Sequence, residues 1–352
     1  MLRKLCLTAL VCASAYHVSA QDANSTSKSY SWKFSGTIDG YVRQDFGEDI
    51  TNNKTSFTNS YGKFMMGMVS GKADLTYKKL NVVADIGVGK RAAEFAYNDK
   101  GLLSNIKQLY ASINIKDNFK ITAGSWATHV GYEVLDPNVN RNYSMSYMFS
   151  YGPFLHTGLK ADYTVGKSAF MIGIANPTDY RKAPAGNKKS MLAQYTLAFN
   201  DDVKLYINYV GGRRPSDAAK TRQIDAVLTT KLNDEWNMGY NGTLTSIKLA
   251  TAVARNAWYG NAVYVNYDPK QTIGFTLRSE IFSDKYKLAS LSSAAYGGSI
   301  LATTFSANVK VGPVMLIPEF RFENCSNKVF HNKLGSEKNG TASLLLGAYY
   351  KF

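Results

Sequence analysis

Cysteine, proline and long apolar runs are scarce in this 352-residue chain, and each absence excludes a class of protein. Of the 3 cysteines, Cys6 and Cys12 lie among the first twenty residues, which leaves Cys325 as the last one. A disulfide scaffold is therefore excluded. No stretch beyond residue 20 has about 18 consecutive uncharged apolar residues, which excludes a helical membrane span. The 45% hydrophobic content is too high for a disordered chain.

The amino terminus has the three parts of a secretory leader. Arg3 and Lys4 form a basic start, residues 5–15 form a short apolar run, and the small residues Val-Ser-Ala end it. We predict a cleaved signal peptide over residues 1–20 and a short flexible lead-in over residues 21–29. The formal net charge of the whole chain is +15, and loss of the two basic leader residues leaves 15 − 2 = +13.

The remaining sequence alternates between apolar and polar residues with a period of two. In segment 203–210, Leu205 and Ile207 fall on one face, and Lys204 and Asn208 fall on the other. This period is that of a β-strand with two different faces. The same pattern, interrupted by turn residues, predicts about sixteen strands, near residues 30–45, 62–77, 79–90, 106–116, 118–126, 155–165, 167–176, 189–200, 202–211, 221–232, 235–247, 255–267, 270–283, 298–310, 313–324 and 339–352.

Short and long connections alternate along the chain, which a soluble two-sheet sandwich does not require. A membrane barrel has short turns at one end and longer loops at the other. We therefore predict an all-β fold: a transmembrane antiparallel β-barrel of about 16 strands over residues 30–352, with short periplasmic turns and longer extracellular loops. The strand count is open within two, because residues 142–152 could form a further strand. A barrel of this size has a lumen wide enough for water.

Aromatic residues support a barrel in the bacterial outer membrane. The last predicted strand places Leu344, Leu346 and Phe352 on one face, and a final strand ending in an aromatic residue resembles the recognition signal of outer-membrane barrels. A set of five aromatic residues next to predicted short turns fits one interfacial girdle. They are Tyr163, Phe199, Tyr209, Trp236 and Tyr267.

Residues 123–163 differ from the rest of the chain. They contain Gly-Tyr-Glu at 131–133, Asn-Tyr-Ser at 142–144, Pro-Phe at 153–154 and His-Thr-Gly at 156–158. This order resembles the putative β-barrel porin-2 family, also called OmpL-like, closely over about forty residues and elsewhere by architecture. The resemblance implies an outer-membrane barrel of the porin type that depends on the outer-membrane assembly machinery. It supplies no catalytic residues.

The long link 127–154 is the candidate constriction loop, because loops of this length inside a compact fold are usually functional. Two arrangements are open: the link folds into the lumen and narrows it, or it caps the outer mouth. Its charged residues are Glu133, Asp136 and Arg141. The predicted lumen wall offers Lys160, Lys204, Arg278 and Arg321, partly balanced by Glu280, Glu319 and Glu323. An acidic loop opposite a basic wall would orient polar solutes, and these charged residues, apart from Glu323, are our candidate pore-lining set.

Two outer links are basic. Segment 177–190 and segment 212–222 each carry four Lys or Arg residues against one Asp. Such links could attract anionic solutes, pair with lipopolysaccharide phosphates, or form a solvated rim. Nucleic-acid binding is not expected, because no basic helix or aromatic stacking motif accompanies the charge.

Residues 136–147 begin like a calcium loop, with Asp136, Asn138 and Asn140 at alternate positions. However, Arg141 stands where the glycine is needed and Tyr147 stands where the last glutamate is needed. The histidines left after maturation also lack metal-ligand spacing. We therefore predict no metal, no cofactor and no catalytic residues.

The function that fits this sequence is passive diffusion of small hydrophilic solutes and ions, with a modest anion preference suggested by the net positive charge. The alternative is a plugged barrel that serves as a surface receptor, adhesin or structural protein. The expected partners are outer-membrane lipid and lipopolysaccharide, the assembly machinery and small solutes. The physiological solute and the pore size are left open, and a homo-oligomer is one option for the assembly.

Overall fold

The computed structural model of the protein describes residues 30–186 and 188–352, so the predicted signal peptide and lead-in lie outside the described residues. Sixteen strands form one closed sheet. They are β1 Tyr30–Asp45, β2 Phe64–Tyr77, β3 Leu80–Val88, β4 Ile106–Lys116, β5 Phe119–Ala127, β6 Leu155–Val165, β7 Ser168–Ala175, β8 Ser190–Ala198, β9 Val203–Arg213, β10 Lys220–Lys231, β11 Trp236–Lys248, β12 Asn256–Lys270, β13 Ile273–Asp284, β14 Gly298–Val311, β15 Val314–Cys325 and β18 Gly340–Lys351.

Every strand of the barrel pairs antiparallel with its neighbours. Each pairs with the next along the chain, β15 pairs with β18 across a small separate hairpin, and β18 pairs with β1 to close the sheet. The hairpin consists of β16 Phe330–His331 and β17 Glu337–Lys338. The prediction of a closed antiparallel barrel of sixteen strands is confirmed. Closure leaves no unpaired strand edge, which is the condition for a sheet in hydrocarbon.

The two faces of the wall differ in burial, as the period of two requires. On β15, Glu319, Arg321 and Glu323 are buried, whereas Phe320 and Phe322 point outward and are 44% and 48% exposed. The same division recurs around the barrel, so large apolar side chains cover its outside and polar side chains line its inside. This is the arrangement of a barrel whose outer surface faces lipid.

Within residues 30–186 and 188–352, helices are few and short. They are α1 Lys90–Phe95 and α2 Tyr147–Tyr151, with 3-10 turns at Ile50–Asn52 and Gly101–Asn105. In the part of the chain that the structure describes, no helix has the length and apolar character needed to cross a membrane. Residues 142–152, which could have been a further strand, instead contain α2. The reason is local: the Ser146 hydroxyl accepts the N–H of Phe149 and caps this helix at its start.

The aromatic residues near the short turns are only partly as predicted. Trp236 stacks on Tyr267 with ring centroids 4.4 Å apart, beside the turn between β10 and β11. Tyr209 was placed there wrongly: it is in register with Ile224, toward the loop end of β9. The strand start at Val203, not the position of Tyr209, lies next to the short turn. The chain ends in the sheet, because the Phe352 N–H donates to the Gly36 carbonyl at 3.1 Å.

Candidate functional site

The segment between β5 and β6 lies within the barrel. Its backbone N–H groups donate to carboxylates on the inner wall: Gly131 to Asp225 on β10 at 3.0 Å, and Tyr147 to Glu280 on β13 at 2.9 Å. These carboxylates are on the buried, inward positions of their strands. A segment that reaches the inward faces of strands this far apart must occupy the space that the wall encloses.

The wall carboxylates accept hydrogen bonds from backbone N–H groups that would otherwise be buried without partners. Buried N–H groups without partners cost free energy, and an irregular segment cannot satisfy them by regular secondary structure. Glu319 accepts from the N–H groups of Tyr143 and Ser144, with the second bond at 3.1 Å. Charged acceptors make such bonds stronger than neutral ones. The acidic wall therefore holds the backbone of segment 127–154 in place.

Glu133 and Arg278 form a buried ion pair between the segment and the wall. Arg278 Nη1 lies 2.6 Å from Glu133 Oε1, and the two side chains are 0% and 4% exposed. The same guanidinium donates to the Ser144 carbonyl at 2.7 Å, and Glu133 accepts the Ser146 N–H at 2.7 Å. The hydrogen bonds to both charges compensate for their removal from water.

A second cluster surrounds Arg321. Its guanidinium contacts Glu323 at 3.1 Å and Glu280 at 3.5 Å, and donates to the Met145 carbonyl at 2.9 Å. The Tyr147 ring lies against it, with 5.2 Å between the guanidinium carbon and the ring centroid. Tyr147 also donates its hydroxyl to Glu323 at 2.6 Å. Wall charges that sequence reasoning placed in the lumen are thus in contact with the segment.

Tyr143 joins the segment to the line where the barrel closes. Its hydroxyl donates to Asp39 on β1, and its N–H donates to Glu319 on β15. On β18, a Cβ at Gly347 would lie 2.4 Å from the Tyr143 ring, so only glycine leaves room for it. The guanidinium of Arg91, on α1, stacks 4.7 Å from the ring centroid.

The other predicted charges have different surroundings. Asp136 of the segment contacts Lys107 of the wall at 2.6 Å, and Arg141 pairs with Asp268. Lys160 lies inward on β6, with its ammonium 5.5 Å from the Trp126 ring centroid. Pore lining by these residues, and by Lys204 near the turn end of β9, stays a prediction. What the structure adds is that Glu133 and Asp136 each have a cationic partner.

Half-exposed charges occupy the inner wall toward the turn end of β2, β5 and β6. Lys120 and Lys160 each lie 3.8 Å from Asp162, and Lys72 lies 3.3 Å from Asp74. Their side chains are 20–45% exposed, unlike the buried groups under the segment. These are charges that water in the lumen can reach.

At the loop end, a cavity of about 720 Å³ lies between the segment and the outer loops. Its lining combines aromatic rings with polar groups, among them Tyr97, Tyr151, Asp179, Ser190 and Trp258. Burial raises the pKa of the Asp179 carboxyl to about 6, against the opposing effect of N–H groups from Phe154 and Leu155. We call this cavity the vestibule.

The residues that sequence reasoning missed are acceptors and aromatic rings. Asp39 and Asp225 occupy inward strand positions and contact the segment, and Arg91, Tyr143 and Tyr147 complete the contacts. An aspartate at an inward position of an otherwise alternating strand is a signal that could have identified the first two. The sequence alone does not show how close the segment lies to the wall, so these contacts could not be predicted.

Two histidines lie close together, but no metal centre surrounds them. The rings of His129 and His156 are 5.3 Å apart, and the His156 ring contacts the Thr128 hydroxyl at 3.0 Å. Over residues 30–186 and 188–352, no group of three or more His, Cys, Asp or Glu side chains could hold a metal ion. Asp136, the first residue of the calcium-like stretch, is in contact with Lys107 instead.

The family follows from a match over nearly the whole chain. The model of the putative β-barrel porin-2, OmpL-like family matches residues 31–352. The chain belongs to this family. The family resemblance of residues 123–163 is therefore confirmed, and it extends over the complete barrel of this OmpL-like protein.

Solved structures share the architecture of the OmpL-like barrel. The anion-selective porin from Comamonas acidovorans is 9% identical, with a TM-score of 0.62, over 92% of this chain and 100% of that one. The outer-membrane protein OmpT of Vibrio cholerae, in its trimer form, is 10% identical, with a TM-score of 0.60, over 92% and 99%. At such identities the likeness shows the fold alone. A comparison with curated proteins finds no similar sequence.

Family and fold together indicate an outer-membrane, porin-like barrel and a non-enzymatic channel. A channel of this kind needs no covalent chemistry. Its properties follow from the width of the lumen and from the polar and charged groups that water and solutes meet.

Proposed function

We propose that this barrel lets small hydrophilic solutes and ions diffuse passively across the outer membrane, and that segment 127–154 narrows its lumen. The observation that carries the proposal is a closed sixteen-stranded barrel whose inner wall binds that segment through Asp225, Glu280 and Glu319. A segment fixed inside a wide polar barrel would restrict the path of solutes, and the half-exposed charges toward the turn end of β2, β5 and β6 are the inner-wall groups that solutes would meet.

A modest preference for anions is part of the proposal. The accessible inner wall on β2, β5, β6 and β9 carries four lysines against Asp74 and Asp162. The lysines are Lys72, Lys120, Lys160 and Lys204. The surplus of positive charge lowers the electrostatic energy of an anion in this part of the path. By contrast, Arg278 and Arg321 are compensated by carboxylates in direct contact and contribute little to selectivity.

Further parts of the proposal concern processing and assembly. We place signal cleavage before Gln21, so that the barrel begins shortly after the mature amino terminus. Outer-membrane lipid and the assembly machinery are the expected partners, and a homo-oligomer is the expected assembly, in line with the trimer form of the similarly folded OmpT. Solutes would enter through the vestibule at the loop end.

Single-channel recording in a planar bilayer under a salt gradient tests the proposal. We expect stable ohmic steps and a reversal potential of the sign set by anions. The variant Lys72→Gln/Lys120→Gln should move that potential toward the cation side, because it removes accessible charge. Lys78→Gln/Lys79→Gln, in the exposed turn after β2, is the matched control and should leave it unchanged.

A plugged barrel is the second candidate, and the tight packing of the segment favours it. Such a barrel would act as a surface receptor, adhesin or structural protein. Glu133, Arg278 and Glu280 are all buried. Segment 127–154 therefore packs closely against this part of the wall and keeps these groups away from water. A folded wild-type barrel without conductance would overturn the channel proposal and support this one, and conductance that appears only in Arg278→Leu, which releases the segment, would identify segment 127–154 as the plug.

A further inference from the structure

A group of basic residues lies at the loop end of three adjacent strands, at outward-facing strand positions, and one of them, Arg213, also borders the vestibule. Arg213 ends β9, Lys220 begins β10 and Lys248 ends β11. Arg222 lies two residues further along β10, and Arg255 comes just before β12. We call these five residues the basic row. None of them belongs to segment 127–154 or to the inward positions of the barrel middle.

The strand register puts cations directly opposite one another. Lys220 is the partner of Arg213 on one side and of Lys248 on the other. Directly opposite residues have Cβ atoms about 5 Å apart, and like charges at that spacing repel each other. Arg255 joins them, since its guanidinium lies 3.5 Å from the Lys220 carbonyl. A folded protein keeps such an arrangement at a cost unless an anion compensates it.

No carboxylate of the described residues compensates the basic row. Among residues 30–186 and 188–352, no ion pair within 4.0 Å reaches any member of the basic row. The one acidic residue of segment 212–222, Asp217, is bonded to Arg214 at 2.6 Å. Residues 244–257 contain neither aspartate nor glutamate. An anion that compensates the row would therefore come from outside the described residues.

The position of the row relative to the apolar surface indicates where that anion lies. On the same outward face, Ile224, Leu244 and Tyr259 are register partners and are 43–56% exposed. At a rise of about 3.3 Å per residue, Arg222 lies about 7 Å and Lys220 about 13 Å beyond Ile224 toward the loops. The row is thus just outside the lipid-facing band, at the height of the lipid headgroups.

The row is local rather than a feature of the whole rim. Gly211 is in register with Arg222 on one side and with Met191 of β8 on the other. Met191 in turn pairs with Ile174 of β7, so the neighbouring strands present apolar residues at this height. What separates the row from other exposed loop-end lysines, such as Lys189 before β8 and Lys285 after β13, is that its cations stand directly opposite one another in the strand register.

We propose that the basic row binds the phosphate groups of a phosphorylated glycolipid in the outer leaflet. The longer connections, at 214–219 and 249–255, mark this end as the external one, whereas the 199–202 and 232–235 turns lie at the other. Arginine binds phosphate through a planar fork and lysine as a point charge. Exposed apolar residues directly below, such as Ile224, would contact the acyl chains of the same lipid.

Native mass spectrometry of the detergent-solubilised mature barrel, titrated with diphosphoryl lipid A, tests the site. The variant Lys220→Ser/Arg222→Ser/Lys248→Ser should bind about a hundredfold more weakly, because each of the three cations near anionic lipid contributes about a factor of five. Lys285→Ser/Lys328→Ser removes two exposed lysines from other outer loops and should bind like the wild type. Lys220→Arg/Lys248→Arg should retain binding, since the charge remains.

Three results would overturn the proposal. They are equal affinity of the wild type and the triple serine variant, equal affinity for dephosphorylated lipid A, and full competition by millimolar inorganic phosphate, which would indicate a soluble anion instead. Heat-modifiable migration of each variant shows that its barrel is folded, and the arginine variant keeps the test valid if the serine variant does not fold. The channel proposal does not depend on the outcome, because the three replaced residues, Lys220, Arg222 and Lys248, line neither the vestibule nor the accessible inner wall.

Discussion

The inner wall of the barrel has two regions that use the same residue types for different purposes. Against segment 127–154, charged groups such as Arg278 and Glu280 are almost completely buried and paired. Toward the turn end of β2, β5 and β6, Lys72 and Lys120 are 35% and 45% exposed. Both sets stand at inward strand positions. What differs is whether segment 127–154 covers them. An uncovered charge acts on ions in the lumen, whereas a covered charge is paired with the segment and holds it in place.

The largest effect is expected where a buried pair is broken. Arg278→Leu leaves Glu133 buried without its cation, which should cost about 3–5 kcal/mol of unfolding free energy in the region of the segment. We expect release of the segment and a larger single-channel conductance. Urea unfolding in vesicles, followed by tryptophan fluorescence, measures the stability.

The double variant Glu133→Leu/Arg278→Leu is the control for that prediction. It removes both charges and should be clearly more stable than Arg278→Leu alone, because no uncompensated charge remains. Equal stability of the wild type and Arg278→Leu would show that the pair does not anchor the segment.

A pH effect of intermediate size is expected at His129 of the segment. Burial lowers its pKa from 6.5 to about 4, so the fold holds the neutral imidazole. The unfolded segment then binds more protons between about pH 6.5 and 4, and the stability that is present above 6.5 is lost as the pH falls through 4. The facing groups are His156, Lys160, Gln194 and the Tyr209 carbonyl.

Hydrogen exchange of residues 127–154 at pH 7 and pH 4.5 measures this effect. We expect faster exchange in the segment at the lower pH, with the sheet amides of β13 and β14 as an internal reference. His129→Gln should flatten the difference. A segment equally protected at both pH values would contradict the prediction.

A smaller effect is expected from Tyr143→Phe, which removes one buried hydroxyl that donates to Asp39. The lost bond to a charged acceptor should lower the unfolding free energy by about 1–3 kcal/mol. Tyr350→Phe, on the lipid-facing side of β18, is the matched control and should be close to neutral. Both are measured by the same urea titration, and equal losses in the two variants would argue against the Asp39 bond.

The smallest change in stability is expected in the accessible region. Lys72→Gln/Lys120→Gln should alter the unfolding free energy by less than about 1 kcal/mol, because partly exposed ion pairs contribute little. It should nevertheless move the reversal potential. A variant that loses stability like Arg278→Leu would remove the distinction between the two regions of the wall.

The strands could be predicted from the sequence because their signal is repeated and local. The alternation of Lys204 and Asn208 with Leu205 and Ile207 needs no tertiary information, and the strand is found where this pattern lies. The contact of Tyr147 with Glu280 could not be predicted in this way. Those residues are separated by more than a hundred positions, and only the radius of the closed barrel determines that the segment reaches the opposite wall.

The sequence predicted which charged residues face inward, but not which of them form ion pairs. Inward parity identified Arg278, Glu280 and Arg321, since each alternates with apolar residues on its strand. Their burial depends on the cover supplied by segment 127–154. Helix α2 was not predicted because it is a single turn without helical periodicity in the sequence. The Ser146 cap and the hydrogen bonds to Glu280 hold it in place.

The Tyr143 contacts have a mechanical consequence. The first and last strands, β1 and β18, meet along a single seam, and Tyr143 touches β1 and β18 as well as β15 from inside. A residue from the middle of the chain thus connects the first strand of the barrel to the last two. Separating β1 from β18 would break the Tyr143 contacts as well as the backbone hydrogen bonds between the two strands. Resistance to opening of the barrel therefore comes from both the sheet and the interior.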